Sequence, residues 1–156
     1  MDNKSLIEYD LPIKQISEEC IHDKSIKKGH IQRLHIWWAR RPLASGRSLI
    51  LSSLLPNPID DDCPREFIEE AGKILLPFED IDFCKEEEIL EAILKFIADF
   101  SKWENGNNKE YIRKAQKLIQ IGQKEHNPYI VDPFSGGGAF PLEASRLNIN
   151  NFAMDL

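Results

Sequence analysis

The sequence has no long apolar run and few cysteines. None of its apolar stretches approaches the roughly 18–20 residues that a membrane-spanning helix needs, and residues 1–4 do not open a signal peptide. A protein of the membrane or of the secretory pathway is therefore not expected. The cysteines at Cys20, Cys63 and Cys84 stand far apart, without the paired spacing of a metal site or of a disulfide framework. These absences predict a reduced, cytoplasmic protein without a metal centre.

Acidic residues are also missing from one internal stretch, residues 24–59. The whole chain has 26 acidic and 20 basic residues and a net charge of −6, yet this stretch has seven basic residues and no acidic one. The basic residues are Lys24, Lys27, Lys28, Arg33, Arg40, Arg41 and Arg47. Such an asymmetry indicates a face that meets an anion, such as a nucleic acid or a phosphate-bearing ligand. A solvated basic face without a partner fits the charges equally well.

Apolar residues at helical spacing predict a mainly helical region over residues 1–126. The clearest stripe begins near residue 85 and ends at Trp103, with apolar residues that step by three and four. A second helix is expected from Pro42, which suits a first helical turn, to Pro56, with an apolar stripe along one side. Further helices are predicted over residues 13–20, 64–75 and from a turn at 104–108 to about Gly122.

From residue 127 the pattern changes to a strand, a glycine-rich loop, a helix and a second strand. A β-rich run at 129–131 precedes the loop at 132–138, residues 139–147 fit a helix, and residues 151–156 resemble a strand. This order opens a parallel α/β sheet. The expected fold is therefore α/β: a helical domain over 1–126, then the first unit of a Rossmann-like sheet over 127–156.

The glycine loop indicates a ligand that contains a nucleoside. Three glycines let the backbone approach a ligand closely, and Asp155, which follows Gly136 by 19 residues, lies where ribose hydroxyls would bind. A P-loop is excluded because no Gly-Lys-Ser/Thr follows, and the dinucleotide fingerprint fails because Pro141 occupies its third glycine position. The spacing of Phe134, Gly136 and Gly138 fits an S-adenosylmethionine site. Another nucleotide or a purely structural glycine turn remains open.

The sequences DPFSGGG at 132–138 and PLEA at 141–144 resemble the cofactor loop of adenine-specific DNA methylases. The chain's opening, with IEYDLP at 7–12, GHI at 29–31 and LHIWWARRPL at 34–43, is similar to the domain of unknown function that opens a subgroup of these enzymes. Some members of that subgroup contain a zinc ribbon. The resembling segments cover about a third of this chain.

This resemblance implies S-adenosylmethionine as cofactor and a set of residues that bind it. Phe134, Gly136 and Gly138 would line its methionine and adenosine parts, Asp132 would close the first strand beside the site, and Asp155 would bind the ribose hydroxyls. A basic segment before the second helix would add cofactor or DNA contacts. Its residues are Trp38, Arg40, Arg41 and Pro42, although the Trp pair at 37–38 and the arginines also fit core packing and surface ion pairs.

The resemblance further implies an enzyme that methylates the exocyclic amine of adenine in DNA. The Asn/Asp/Ser-Pro-Pro-aromatic tetrapeptide that holds this amine is absent from the sequence, so no catalytic residue is assigned. The chain is therefore expected to be the N-terminal piece of a longer methyltransferase, inactive alone, with DNA and the remainder of that enzyme as partners. The alternatives are a non-enzymatic module that binds nucleic acid or protein, and a fragment of an RNA or small-molecule methyltransferase.

Overall fold

A computed structural model describes residues 4–25, 41–76, 85–124 and 126–155 of the chain. These residues form a mixed α/β fold that is mainly helical and contains a small sheet of two parallel strands. After a 3₁₀ turn at Leu6–Glu8 come α1 (Ile13–Ser25), α2 (Leu43–Leu54), α3 (Arg65–Leu75), α4 (Glu86–Ser101), α5 (Lys109–Gly122), β1 (Tyr129–Asp132), α6 (Ala139–Arg146) and β2 (Asn150–Ala153). The predicted helices and strands are confirmed, with ends that differ by a few residues.

Helix α2 lies at the centre of the fold and packs against α1, α4, α5 and α6. The predicted apolar stripe along one side is therefore only part of what it buries. Ser48 and Ser52 are buried as well, and their hydroxyls donate to the carbonyls of Ala44 and Ser48 at 2.8 and 2.9 Å. These bonds satisfy the hydroxyls within the helix, so small polar residues can face the core.

Helices α3, α4 and α5 form the other side of the core. The stripe predicted on α4 is confirmed, because Ile89, Ile93 and Phe100 are all less than 2% exposed. Phe96, Phe100 and Tyr111 stack with ring centroids 5.6–6.2 Å apart, which joins α4 to α5. As expected from the turn at 104–108, the side chain of Asn108 caps α5 by accepting the amide of Glu110 at 2.9 Å.

The two strands pair in parallel, with Val131 beside Phe152 and Asp132 beside Ala153. Helix α6 connects them and packs on α2, and Ala144, Leu147 and Ile149 join the same buried cluster as the earlier helices. The division of the chain at residue 126 stays a prediction. Within the described residues, no helix is long and apolar enough to cross a membrane.

Candidate functional site

The glycine loop leaves β1 at Asp132 and enters α6 at Ala139, as the sequence predicts. Gly136 and Gly138 have φ angles of 48° and 73°, in the left-handed region that favours glycine. The amide of Gly138 donates to the carbonyl of Ser135 at 2.8 Å, which closes a tight turn over the three glycines. Two of the glycines are therefore needed for the backbone path itself.

Two backbone hydrogen bonds join this loop to the end of β2. The amide of Met154 donates to the carbonyl of Asp132, and the amide of Ser135 donates to the carbonyl of Met154, both at 3.0 Å. Asp155, the next residue, is exposed. The structure thus brings the loop and Asp155 to the same edge of the sheet, where the carboxyl ends of both strands lie.

Helix α6 begins at this edge with Gly138 as its N-cap, a residue without a side chain that could cap the helix. Among the described residues no side chain caps the amides of Ala139 and Phe140, which can therefore donate to a ligand, whereas Pro141 has no N–H. A Cβ atom built on Gly138 would lie 4.0 Å from Cγ of Pro141, its nearest neighbour, so the described residues leave the space above Gly138 open. A ligand with a carboxylate fits such a helix start.

Asp132 and Phe134 have different roles at the edge of the sheet where the glycine loop lies. The Asp132 carboxylate accepts the amide of Phe134 at 3.2 Å, an interaction that shapes the loop from within. The side chain of Phe134 is 73% exposed, which is unusual for a large aromatic residue. Phe134 is thus available to contact a ligand, and Asp132 is engaged in holding the loop.

The second predicted segment is only partly described. Trp38 and Arg40 lie outside the described residues. Arg41 is exposed, and Pro42 is the N-cap of α2, one position before the helical turn in which it was expected. The start of α2 is capped from α1, because the buried carboxylate of Asp23 accepts the amide of Leu43 at 2.8 Å. The role of Arg41 and Pro42 in binding cofactor or DNA stays a prediction.

A buried ionic cluster connects α2 to the helix that follows the glycine loop. Arg47 and Glu143 are each 1% exposed, and Nε of Arg47 lies 3.8 Å from Oε1 of Glu143. Arg146, one turn further along α6, donates from Nη1 to the same oxygen at 3.0 Å. Arg47 also donates to the carbonyls of Leu43 (3.3 Å) and Phe100 (3.2 Å). This cluster fixes α6, and with it the end of the loop, against the helical core.

The burial of Arg47 corrects one inference from the sequence. Arg47 was counted among the basic residues that would present a face to an anion, but its guanidinium lies in the core, 5.6 Å from the ring centroid of Phe100. It therefore does not contribute to a basic surface. The sequence did contain a signal for the cluster, because Arg47 is the only charged residue in α2, and Glu143 and Arg146 are the only charged residues in α6. Their partnership is visible only once α2 and α6 are packed together.

The electrostatics of the cluster are dominated by burial. Loss of hydration raises the pKa of Glu143, against the opposing effect of Arg47 and Arg146, and the same loss lowers the pKa of Arg47. Atom Oε2 of Glu143 is buried and has no hydrogen-bond partner among the described residues, which agrees with an incompletely compensated carboxylate. Both pKa shifts indicate that the Coulomb attraction between Arg47 and Glu143 is smaller than the free energy lost when the two groups are removed from water.

The raised pKa of Glu143 predicts a pH dependence of stability. Between the ordinary carboxyl pKa and the raised one, the folded chain binds a proton that the unfolded chain has lost, so the free energy of unfolding falls as the pH rises through this window. Glu143→Gln has no carboxyl group and should lack this component. We expect the stability of the wild type minus that of the variant, from urea unfolding, to decline with pH. A difference that rises with pH would contradict the direction of the shift.

Comparison with known proteins adds one match. Residues 10–74, from just before α1 to the last turn of α3, match the model of a family described as a protein of unknown function (DUF1156). No curated protein and no solved structure matches the chain. The similarity of the chain's opening to a domain of unknown function is thus confirmed, whereas the methylase resemblance stays a prediction. In the described ranges, no group of three or more His, Cys, Asp or Glu residues is placed to hold a metal ion.

Proposed function

We propose that the chain is the cofactor-binding N-terminal part of an S-adenosylmethionine-dependent DNA methyltransferase that acts on the exocyclic amine of adenine. The observation that carries the proposal is the common edge formed by the glycine loop, the uncapped start of α6 and Asp155. The loop joins β1 to α6, β2 pairs in parallel with β1, and the Ser135–Met154 hydrogen bond holds the loop beside Asp155. Nucleoside ligands of open α/β sheets bind at this edge.

The residues at the edge fit the chemical groups of S-adenosylmethionine. Its carboxylate suits the free amides at the start of α6, its ribose hydroxyls suit the Asp155 carboxylate, and its apolar parts suit the exposed ring of Phe134. The open space over Gly138 leaves room for a closely bound ligand. When bound, the cofactor supplies an electrophilic methyl group, and the residues of this chain hold and orient it.

The outer face of the sheet supports a continuation of the fold. Tyr129, Val131 and Phe152 are 59%, 61% and 53% exposed and lie on one face of the paired strands. Parallel sheets are covered on both faces, so an apolar face of this kind suits a further layer. The remainder of a Rossmann-like methyltransferase sheet is the partner that we propose for it, and that part would hold the adenine amine during direct methyl transfer to nitrogen.

The proposal predicts that Gly136→Asp abolishes binding of S-adenosylmethionine. Aspartate at a φ of 48° strains the loop, and its side chain brings a negative charge to the site proposed for the cofactor carboxylate. Isothermal titration of the wild-type chain should give a saturable heat that disappears in the variant. The matched control is Gln15→Glu, which adds the same charge on the exposed surface of α1, outside both the glycine loop and the sheet.

The outcomes of this titration separate the alternatives. Binding that is lost in Gly136→Asp and retained in Gln15→Glu supports the cofactor site. Incubation of DNA or RNA with S-adenosylmethionine labelled in its methyl group then tests the substrate class. A folded wild-type chain that binds no S-adenosylmethionine, but binds another nucleotide at the same loop, would overturn the cofactor assignment. A folded chain that binds neither would favour a glycine turn of purely structural role.

A further inference from the structure

A polar groove lies along α5, on the side of the sheet where both strands begin. Its walls are one face of α5, residues 126–128 before β1, and residues 147–149 before β2, and it encloses about 760 Å³. We call it the α5 groove. Because the glycine loop lies at the opposite, carboxyl ends of the same strands, the α5 groove is a different surface from the site described above.

The charge of the α5 groove is opposite to that of the chain as a whole. Arg113, Lys117, Lys124 and His126 line it and are exposed, and among the described residues that line it none is acidic. The whole chain, in contrast, has six more acidic than basic residues. At the rim, Lys124 pairs with Glu66 of α3, so Arg113 and Lys117 contribute the larger part of the positive potential.

The walls of the α5 groove are held by internal hydrogen bonds. Nε2 of Gln116 donates to the carbonyl of Arg146 at 2.9 Å, which joins α5 to the end of α6. Nε2 of Gln123 donates to the carbonyl of Leu54 at 2.6 Å, which joins α5 to the end of α2. Gln120, Asn127 and Asn148 remain exposed along the rim. The groove thus combines a fixed frame with amide side chains that can donate hydrogen bonds.

We propose that the α5 groove binds the phosphodiester backbone of a nucleic acid. Arg113, Lys117 and Gln120 follow one another in α5 at intervals of four and three residues, which places them in a line of about 10 Å along one face of the helix. Lys124 lines the groove just beyond the end of the helix. Backbone phosphates recur about every 3.4 Å along each strand of a duplex, so such a line can follow several of them. Amide side chains and arginines are common donors to phosphate and sugar oxygens.

A nucleic acid fits this groove better than an acidic protein segment does. Protein partners are held chiefly by tryptophan, tyrosine and other large anchors that fill pockets. Within the part of the chain that the structure describes, no Trp, Tyr or Phe lines the α5 groove. The inference agrees with the proposed DNA substrate but does not depend on the cofactor, because it rests on the charges and the shape of a surface at the other edge of the sheet.

The test compares two triple variants with the same change in net charge. Arg113→Gln, Lys117→Gln and Lys124→Gln remove the line of cations, whereas Lys14→Gln, Lys73→Gln and Lys95→Gln remove three exposed lysines from α1, α3 and α4. Fluorescence anisotropy measures binding of short duplex DNA, single-stranded DNA and RNA of equal length over a range of salt concentrations. We expect the first variant to lower the dependence of log K on log salt by about 2 to 3, about one each for Arg113 and Lys117 and less for Lys124, which is paired with Glu66. The second variant should leave this dependence unchanged.

The three nucleic-acid probes show which backbone the groove prefers, and polyglutamate serves as a polyanion without phosphates. Equal losses in the two triple variants, binding of polyglutamate with the same dependence on the groove cations, or no binding of any nucleic acid by the wild type would each overturn the inference. The cofactor proposal is tested separately, because the α5-groove variant should keep S-adenosylmethionine binding and Gly136→Asp should keep nucleic-acid binding.

Discussion

Arg47→Met is expected to lower the free energy of unfolding by about 3–5 kcal/mol, the range for removal of one partner from a buried ion pair. Methionine fills much of the same space, so the loss comes mainly from charge. Among the described residues, Glu143, 1% exposed, would keep only Arg146 as a cationic partner, and the carbonyl of Phe100 near the end of α4 would lose its donor. Urea unfolding followed by circular dichroism measures the change.

The double variant Arg47→Met with Glu143→Gln is the control for this interpretation. It removes the buried carboxylate together with the guanidinium, so most of the lost stability should return, because uncharged side chains of similar volume replace buried pairs at little cost. A double variant as unstable as the sum of the two single variants would show that the pair contributes by packing and not by its charges.

Sequence-based prediction was most accurate for helices that bury one face in the core and expose the other to solvent. The stripe on α4 repeats every three or four residues because only one side of this helix meets the core, and the same holds for the start and cap of α5. Helix α2 is surrounded, so its buried set includes Ser48, Ser52 and Arg47, which no single-face pattern contains. Hydrophobic periodicity therefore predicts the buried residues of a helix that packs on one side of the core, but not those of a helix that is surrounded by other elements.

In the candidate site, too, features that depend on neighbouring residues in the chain could be predicted, whereas contacts between distant residues could not. The glycine loop and Asp155 were recognised because both belong to one short β-loop-α-β unit, whose geometry is set by its own residues. The pairing of Arg47 with Glu143 joins residues 96 positions apart. From the sequence alone, Arg47 is expected on a basic face that meets either an anion or solvent. The α5 groove was not predicted from the sequence either. Residues 111–124 contain four basic residues and no acidic one, but residues 126–128 and 147–149 come together with α5 only in the folded chain.

The cluster also connects the segment that matches the family model to the helix that follows the glycine loop. A Cβ atom built on Gly46 of α2 would lie 3.5 Å from the carbonyl oxygen of Ala139, the first residue of α6. Together with the Arg47–Glu143 pair, this close approach connects the matched segment to the start of α6. Loosening the cluster should therefore disturb the loop even though no member of the cluster belongs to it.

The second large effect is expected for Gly106→Ala, at a residue in the turn between α4 and α5. A Cβ atom there would lie 1.9 Å from Nη1 and 2.7 Å from Cζ of Arg47, so the guanidinium would have to move. It cannot move without loss, because it is buried, hydrogen-bonded to Phe100 and paired with Glu143. We expect a loss of about 1–3 kcal/mol from this overpacking, measured by urea unfolding.

The mechanism of this loss can be isolated by repeating the substitution in the Arg47→Met background. There the new methyl group meets no guanidinium, and alanine restricts the unfolded chain more than glycine does, so Gly106→Ala should become neutral or slightly stabilising. The backbone conformation is no obstacle, because among the described glycines only Gly136 and Gly138 have positive φ angles. An equal loss in both backgrounds would mean that the turn itself requires glycine, and that the contact with Arg47 has no energetic consequence.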